Sequence, residues 1–172
     1  MAKDGFLKRH GIVRNAIKED LIFFAGPWII AMSVGLMLSA WDLVKSQDSL
    51  LVLSVQSVIG LALLATGLTI QLVSQITLGR LYSSTLVIKE GHQLITHGIY
   101  RFVRHPIYLG VLVGFYGITV YASSLYGFLV TSLQIPIFLN RIRLEEKLLT
   151  EEFQDSHQRY KETTRKLIPF IY

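Results

Sequence analysis

Between Glu90 and Gly110 the chain places three histidines, two arginines and two tyrosines within 21 residues. Such side chains hold anions, move protons and stack on rings or cations. They stand at the edge of a run, His105 to Asn140, that contains no Lys, Arg, Asp or Glu. Polar side chains gathered where a chain enters a membrane mark a functional site. His105-Pro106 gives that edge a local geometry. The residue before proline is driven out of the α region, and proline is favoured at the first helical position. A helix is therefore expected to start at Pro106, with His105 at its cap. Its exposed N–H groups and positive dipole end meet Arg104 and His105, a suitable place for an anion such as a carboxylate. Contact between Arg104 and lipid phosphates fits the same position.

A second constellation follows at Arg141-Ile-Arg-Leu-Glu-Glu146. On a continuing helix Arg141 and Glu145 share one face, four residues apart, in the weaker order for a surface ion pair. Facing the bundle, Arg141 would hold an anion and Glu145 an ammonium or ribose hydroxyls. A solvated helix exit is the plain alternative. Tyr100, Tyr108 and Tyr116 suit an interfacial belt, or rings stacked on a nucleobase or sulfonium. Gly110 and Gly114 form a GxxxG with Gly117 one turn on, which allows close helix approach. Packing within a helical hairpin is its expected use, ahead of a dimer seam or room for a ligand.

Several chemistries are excluded. There is no cysteine, hence no disulfide framework, thiolate-held metal or thiol nucleophile. His92, His97 and His105 have no zinc spacing, and no metal is expected. No GxGxxG follows a strand, and there is neither a P-loop nor a G-x-S-x-G elbow. Any nucleotide-like cofactor would be held without a Rossmann domain. No nucleic-acid-binding module fits, and no nucleic acid partner is expected.

The elements that must position these residues are membrane helices. Hydrophobic residues make up 51% of the chain and charged ones 17%, against about 25% charged in soluble domains. Leu21 to Trp41 is a charge-free run of 21 residues, Ser49 to Gly79 one of 31, and His105 to Asn140 one of 36. A spanning helix needs about 20. The first run fits one span, and the second a span over about Leu50 to Val73 with a polar tail. The third has turn character at Tyr121 to Gly127 and is read as a hairpin of Pro106–Tyr121 and Ser124–Asn140. Lys and Arg number five in residues 1–20, one in 42–48, four in 80–104, none in the hairpin turn and seven from Arg141 on. That alternation implies four crossings with both termini cytoplasmic. Residues 1–20 are expected to lie in the interface as an amphipathic segment rather than act as a signal peptide. The fold class is all-α: a polytopic membrane helical bundle of about four transmembrane helices, with a C-terminal helical hairpin and a cytoplasmic cofactor-binding loop and tail. It forms one domain: 1–20 interfacial, 21–75 two transmembrane helices, 76–172 the site-bearing region.

With His92, Leu94, Ile95, Thr96, Gly98, Tyr100, Arg104, His105, Pro106, Tyr108 and Gly110 in register, the chain resembles the isoprenylcysteine carboxyl methyltransferase family and its phospholipid methyltransferase relatives. A hairpin, the Arg141, Glu145, Glu146 element and a late Tyr160 before Leu167-Ile-Pro169 follow in family order. The resemblance covers about residues 76–172. It implies an integral membrane methyltransferase that uses S-adenosylmethionine. By resemblance, His92, Gln93, Leu94 and Ile95, then Tyr100, then His105, Pro106, Ile107 and Tyr108 are the cofactor-binding set, with Glu145 a further contact. Arg104 beside them suits the cofactor's carboxylate. Arg141 is the catalytic, substrate-binding residue that faces the substrate's carboxylate. A family glutamine that touches the cofactor falls near Thr85, where this chain has none. Some members carry two more N-terminal helices.

The expected activity is methyl transfer to a lipophilic acceptor, either the carboxylate of an isoprenylcysteine-like molecule or a lipid headgroup, with membrane lipids as surroundings. A non-catalytic membrane scaffold that keeps the fold is the alternative from another class. A membrane oxidoreductase on a similar bundle is a third reading, which a haem or flavin absorption band would reveal.

Overall fold

A computed structural model describes residues 24–46, 54–82 and 93–168. Five α-helices run through them: α1 Gly26–Lys45, α2 Val55–Leu78, α3 Pro106–Tyr121, α4 Leu125–Ser132 and α5 Gln134–Thr163. Among the described residues there is no strand; Val103 and Arg165 form an isolated parallel bridge. The expected interfacial segment 1–20 lies outside the described residues.

α3 starts at Pro106, with His105 at the N-cap position, and ends at Tyr121, the bounds that the sequence predicts. The other spans are displaced from expectation. α1 carries on past Trp41 to Lys45, since Asp42 to Lys45 contain no helix breaker. α2 begins at Val55, where the Ser54 hydroxyl accepts from Ser57 N at 3.1 Å. It runs past Val73 to Leu78. The expected polar tail is helical because Ser74 and Thr77 turn their hydroxyls onto the carbonyls of Ile70 and Val73, which removes their demand for water. α2 stops at Gly79, whose φ of +53° suits glycine.

The largest departure is in the hairpin's second arm. A single helix Ser124–Asn140 is expected; the structure breaks at Leu133 and then continues to Thr163. Pro136 accounts for the break. It has no N–H for the carbonyl of Ser132, and proline is tolerated only in a helix's first turn. A new helix therefore begins just before it, and Pro136 occupies the third position of α5.

α1, α2 with its 3-10 extension to Leu81, and the α4–α5 unit are each long and apolar enough to cross a membrane; α3, at 16 residues, is shorter. The α4–α5 unit counts 39 residues. At about 1.5 Å per residue it is roughly twice as long as the ~30 Å hydrocarbon core. Its charge-free part ends at Asn140, so Arg141 onward extends beyond the apolar span. Gln154 has φ 44° and kinks this extension, turning His157 and Tyr160 inward, where both are buried.

α2 and α3 touch backbone to backbone. A Cβ on Gly67 would collide with Gly114 N and lie 2.6 Å from Gly110 O. One on Gly117 would collide with Leu64 N and lie 2.7 Å from Gly60 O. The α3 glycines thus serve α2, not the hairpin partner as the GxxxG reading has it, because α2 presents the matching glycines. α4 packs instead on α1, through Gly127 against Ser39 and Gly35, with Ser124 Oγ donating to Asp42 Oδ2 at 2.6 Å. Leu112, Phe138, Ile142 and Leu167 form the buried core where α3, α5 and the tail meet.

Candidate active site

One cavity of about 300 Å³ opens where the 93–105 loop, the start of α3 and the extended part of α5 converge. Of the residues singled out in the sequence, Gln93, Leu94, Ile95, Tyr100, Arg104, His105, Pro106, Ile107, Tyr108, Arg141 and Glu145 all line it. They come from three separate segments, so a shared wall is a tertiary fact that no single motif contains. His92 and Thr85 lie outside the described residues.

At the centre, the Tyr108 hydroxyl joins the two expected charges. Arg141 Nε donates to Tyr108 Oη at 3.0 Å, and Tyr108 Oη donates to Glu145 Oε2 at 2.9 Å. Arg141 and Glu145 face the bundle, which excludes the solvated-exit reading. Arg141 is 3% exposed. Its guanidinium lies 4.2 Å from the centroid of the Phe24 ring, a cation–π arrangement that steadies a desolvated charge.

The polar end is closed by the chain's tail. Arg104 Nε donates to Glu146 Oε1 at 2.8 Å. Its Nη1 donates to Thr164 O at 2.6 Å and to Thr164 Oγ1 at 3.1 Å. The expectation that Arg104 offers its charge to a bound anion or to lipid phosphates therefore changes. The guanidinium lines the cavity, but its charge is neutralised by Glu146. Glu146 also has His105 Nε2 at 3.5 Å and Lys166 Nζ at 3.7 Å. Burial alone would raise its carboxyl; the neighbouring His105 ring and the bond from Arg104 outweigh that and hold it at about 2. Arg104 N and His105 N donate to the carbonyls of Arg165 and Lys166, and Tyr160 Oη donates to Tyr100 O at 2.6 Å. Loop and tail are thereby sewn together over the cavity.

Tyr100 is 5% exposed, yet its hydroxyl has no hydrogen-bond partner among the described residues. Burial, then the Glu145 charge, pushes its ionisation well above the ordinary value, so the phenol remains a donor. Buried polar groups are nearly always satisfied. An unpaired phenol in a cavity wall that also holds a carboxylate and an imidazole fits a polar, cationic ligand with hydroxyl groups.

The other end is aromatic, and the sequence did not reveal it. Phe24, Trp28 and Phe138 line the cavity, with Gln71 and Gln75 on the α2 side and Tyr160 on the tail side. Phe138 packs 5.2 Å from Tyr108 and 5.9 Å from Phe24, centroid to centroid. Two glutamines four residues apart within an apolar span were a usable signal, since such a pair shares one helix face. With Gln93 they put three glutamine side chains in the described wall.

Comparison with known proteins fits this geometry. The profile of the phospholipid methyltransferase family matches residues 55–156, more than half of the chain. A probable protein-S-isoprenylcysteine O-methyltransferase from Oryza sativa subsp. indica is 31% identical over 67% of this chain and 62% of its own length. The protein-S-isoprenylcysteine O-methyltransferase of Schizosaccharomyces pombe is 30% identical over 70% of this chain and 52% of its own. Methanethiol S-methyltransferase 1 of Bradyrhizobium diazoefficiens is 40% identical over 42% of this chain and 25% of its own. The chain thus spans less than two thirds of the length of these relatives. A solved eukaryotic intramembrane Ras methyltransferase, isoprenylcysteine carboxyl methyltransferase, shares the fold with a TM-score of 0.71 at 24% identity, over 84% of this chain and 52% of that one. Helical architecture, ordered motifs and family match agree: the chain is an integral membrane protein that belongs to the phospholipid methyltransferase family and shares the fold of the isoprenylcysteine carboxyl methyltransferase structure.

Proposed function

We propose that the protein is an S-adenosylmethionine-dependent membrane methyltransferase whose acceptor is lipophilic and carries an anionic oxygen. The observation that carries this reading is the two-ended cavity. Tyr100, His105 and Glu145 stand at one end, Phe24, Trp28 and Phe138 at the other, and Arg141 between them. The names of the relatives, O-methyltransferases of isoprenylcysteine, support the same acceptor class.

When bound, the cofactor supplies an electrophilic methyl group on a sulfonium. The residues that would hold it are Gln93 to Ile95, Tyr100, His105 to Tyr108 and Glu145, with His92 before them. Glu145 suits an ammonium or ribose hydroxyls, and the Tyr100 phenol donates to a polar atom. The start of α3 offers backbone N–H groups to a carboxylate. Arg141 would bind the acceptor's carboxylate and orient it in the cavity. Its bond to Tyr108 fixes the guanidinium in one position, so orientation is set in advance. A carboxylate acceptor has no proton to lose, and the site then needs no general base. With the cofactor bound, transfer would form an oxygen–carbon bond to the acceptor, with the electron pair of the sulfur–carbon bond left on sulfur. We place the loop, the tail and both termini on the cytoplasmic face, where the Lys and Arg excess lies.

Calorimetric titration of S-adenosylmethionine into detergent-purified protein, beside Glu145→Ala, tests the reading. Binding to wild type that the substitution weakens at least tenfold is expected. No binding to a folded, monodisperse wild type in detergent or in nanodiscs overturns the enzyme and leaves the scaffold.

A further inference from the structure

The aromatic end of the cavity is built partly by a helix outside the family match. That match starts at residue 55, whereas α1 runs from Gly26 to Lys45. Phe24 and Trp28 reach the cavity from this side, and they are not placed like loose belt aromatics. The Trp28 ring lies 5.9 Å from Phe24 with the planes 6° apart, and 6.2 Å from Phe138. Its indole N–H donates to Gln134 Oε1 at 3.1 Å.

Gln134 is the unusual partner. It is 0% exposed, and its Nε2 has no hydrogen-bond partner among the described residues. A buried amide left half satisfied is destabilising, and an apolar side chain of the same size would not incur that loss. The one bond it makes fixes where the indole stands.

That position has a consequence for the acceptor. A carboxylate held at Arg141 meets Phe24 beneath the guanidinium, and Trp28 stacks directly beyond Phe24. An apolar chain attached to the carboxylate and running toward α1 lies against this pair. The cavity holds about 300 Å³, the low end of the roughly 300–1,000 Å³ range for ligand pockets, and it must also take the cofactor. Little room remains for a long chain inside, so its fate is decided at the wall. Resting on the proposed methyltransferase reading, we propose that Trp28, held in place by Gln134, is a specificity-determining residue that limits the length of the acceptor's apolar chain.

The probes are N-acetylcysteines bearing S-prenyl, S-geranyl, S-farnesyl or S-geranylgeranyl chains. The readout is the rise each causes in the unfolding midpoint of detergent-purified protein, which needs neither cofactor nor turnover. Wild type is expected to be stabilised most by one of the shorter chains. Trp28→Ala should move the best chain at least one isoprene unit longer. Gln134→Leu keeps the bulk, frees the indole and should extend the preference to the next longer chain. If Trp28→Ala does not fold, Trp28→Phe and Gln134→Leu carry the test, because both remove the hydrogen bond. An unchanged best chain in the folded variants overturns the gate. So does a wild type stabilised equally by all four probes, or by none. Methyl transfer is measured separately. A length shift without transfer removes the proposed activity and keeps the gate; transfer with an unshifted profile does the reverse.

Discussion

The two ends of the cavity are held by different forces. At the polar end, Glu146 gathers Arg104, His105 and Lys166 within 3.7 Å, and the tail is bonded to the loop through Tyr160 and Thr164. Directional bonds to charged groups allow one geometry. At the aromatic end, Phe24, Trp28 and Phe138 meet ring against ring, and the Trp28 indole N–H donates to Gln134. Ring packing tolerates exchange of size and shape far better than a charge network does. On the proposed function, the polar end would serve one invariant cofactor, while the aromatic end is free to vary with the acceptor.

The sharpest way to break this contrast is Glu146→Ala. It leaves Arg104, with a side chain 7% exposed, beside no carboxylate. Loss of one partner of a buried pair costs about 3–5 kcal/mol. The unfolding midpoint should drop strongly, and protease should cut the tail near Thr164. Unaltered stability would mean that the clasp is ornamental. Next is Arg141→Ala, which removes the donor at the junction. Methyl transfer should fall about 100-fold or more, while adenosylmethionine binding changes little. Equal losses in both would place Arg141 at the polar end instead.

Acid should reach the polar end alone. Glu146 is held at about 2 when folded, below its ordinary 4.5. A depressed carboxylate stabilises above its unfolded value and loses that contribution as pH falls through the folded one. The unfolding midpoint should therefore decline between pH 4.5 and 2, less steeply in Glu146→Gln. Equal slopes would show that Glu146 does not carry the effect. The smallest effect is expected from Tyr160→Phe. Losing the 2.6 Å bond to Tyr100 O should cost about 1 kcal/mol and weaken cofactor binding a few-fold, with acceptor preference unchanged.

The same contrast explains what could be read in advance. The polar end sits on compact motifs: His105-Pro106 fixes the start of α3, and Arg141 and Glu145 share a helix face whatever surrounds them. Even so, Arg104 looked free, since its partner Glu146 is 42 residues away. The aromatic end has no local signature. Within an apolar span Phe24 and Trp28 look like lipid-facing residues, and only the packing of α1 on the rest turns them inward. The break before Pro136 was legible in principle: a proline within an expected helix always withdraws one donor. Gln71 and Gln75 were legible too, as amides on one face of an apolar helix.

The glycine seam between α2 and α3 has a mechanical consequence. Two backbones in contact along Gly60, Gly67, Gly110 and Gly117 leave no side-chain layer that can deform. The pair cannot slide or spread without losing its fit, so it behaves as one rigid post. The tail beyond the Gln154 kink and α1 with its aromatic pair are therefore set as cavity walls against a fixed reference.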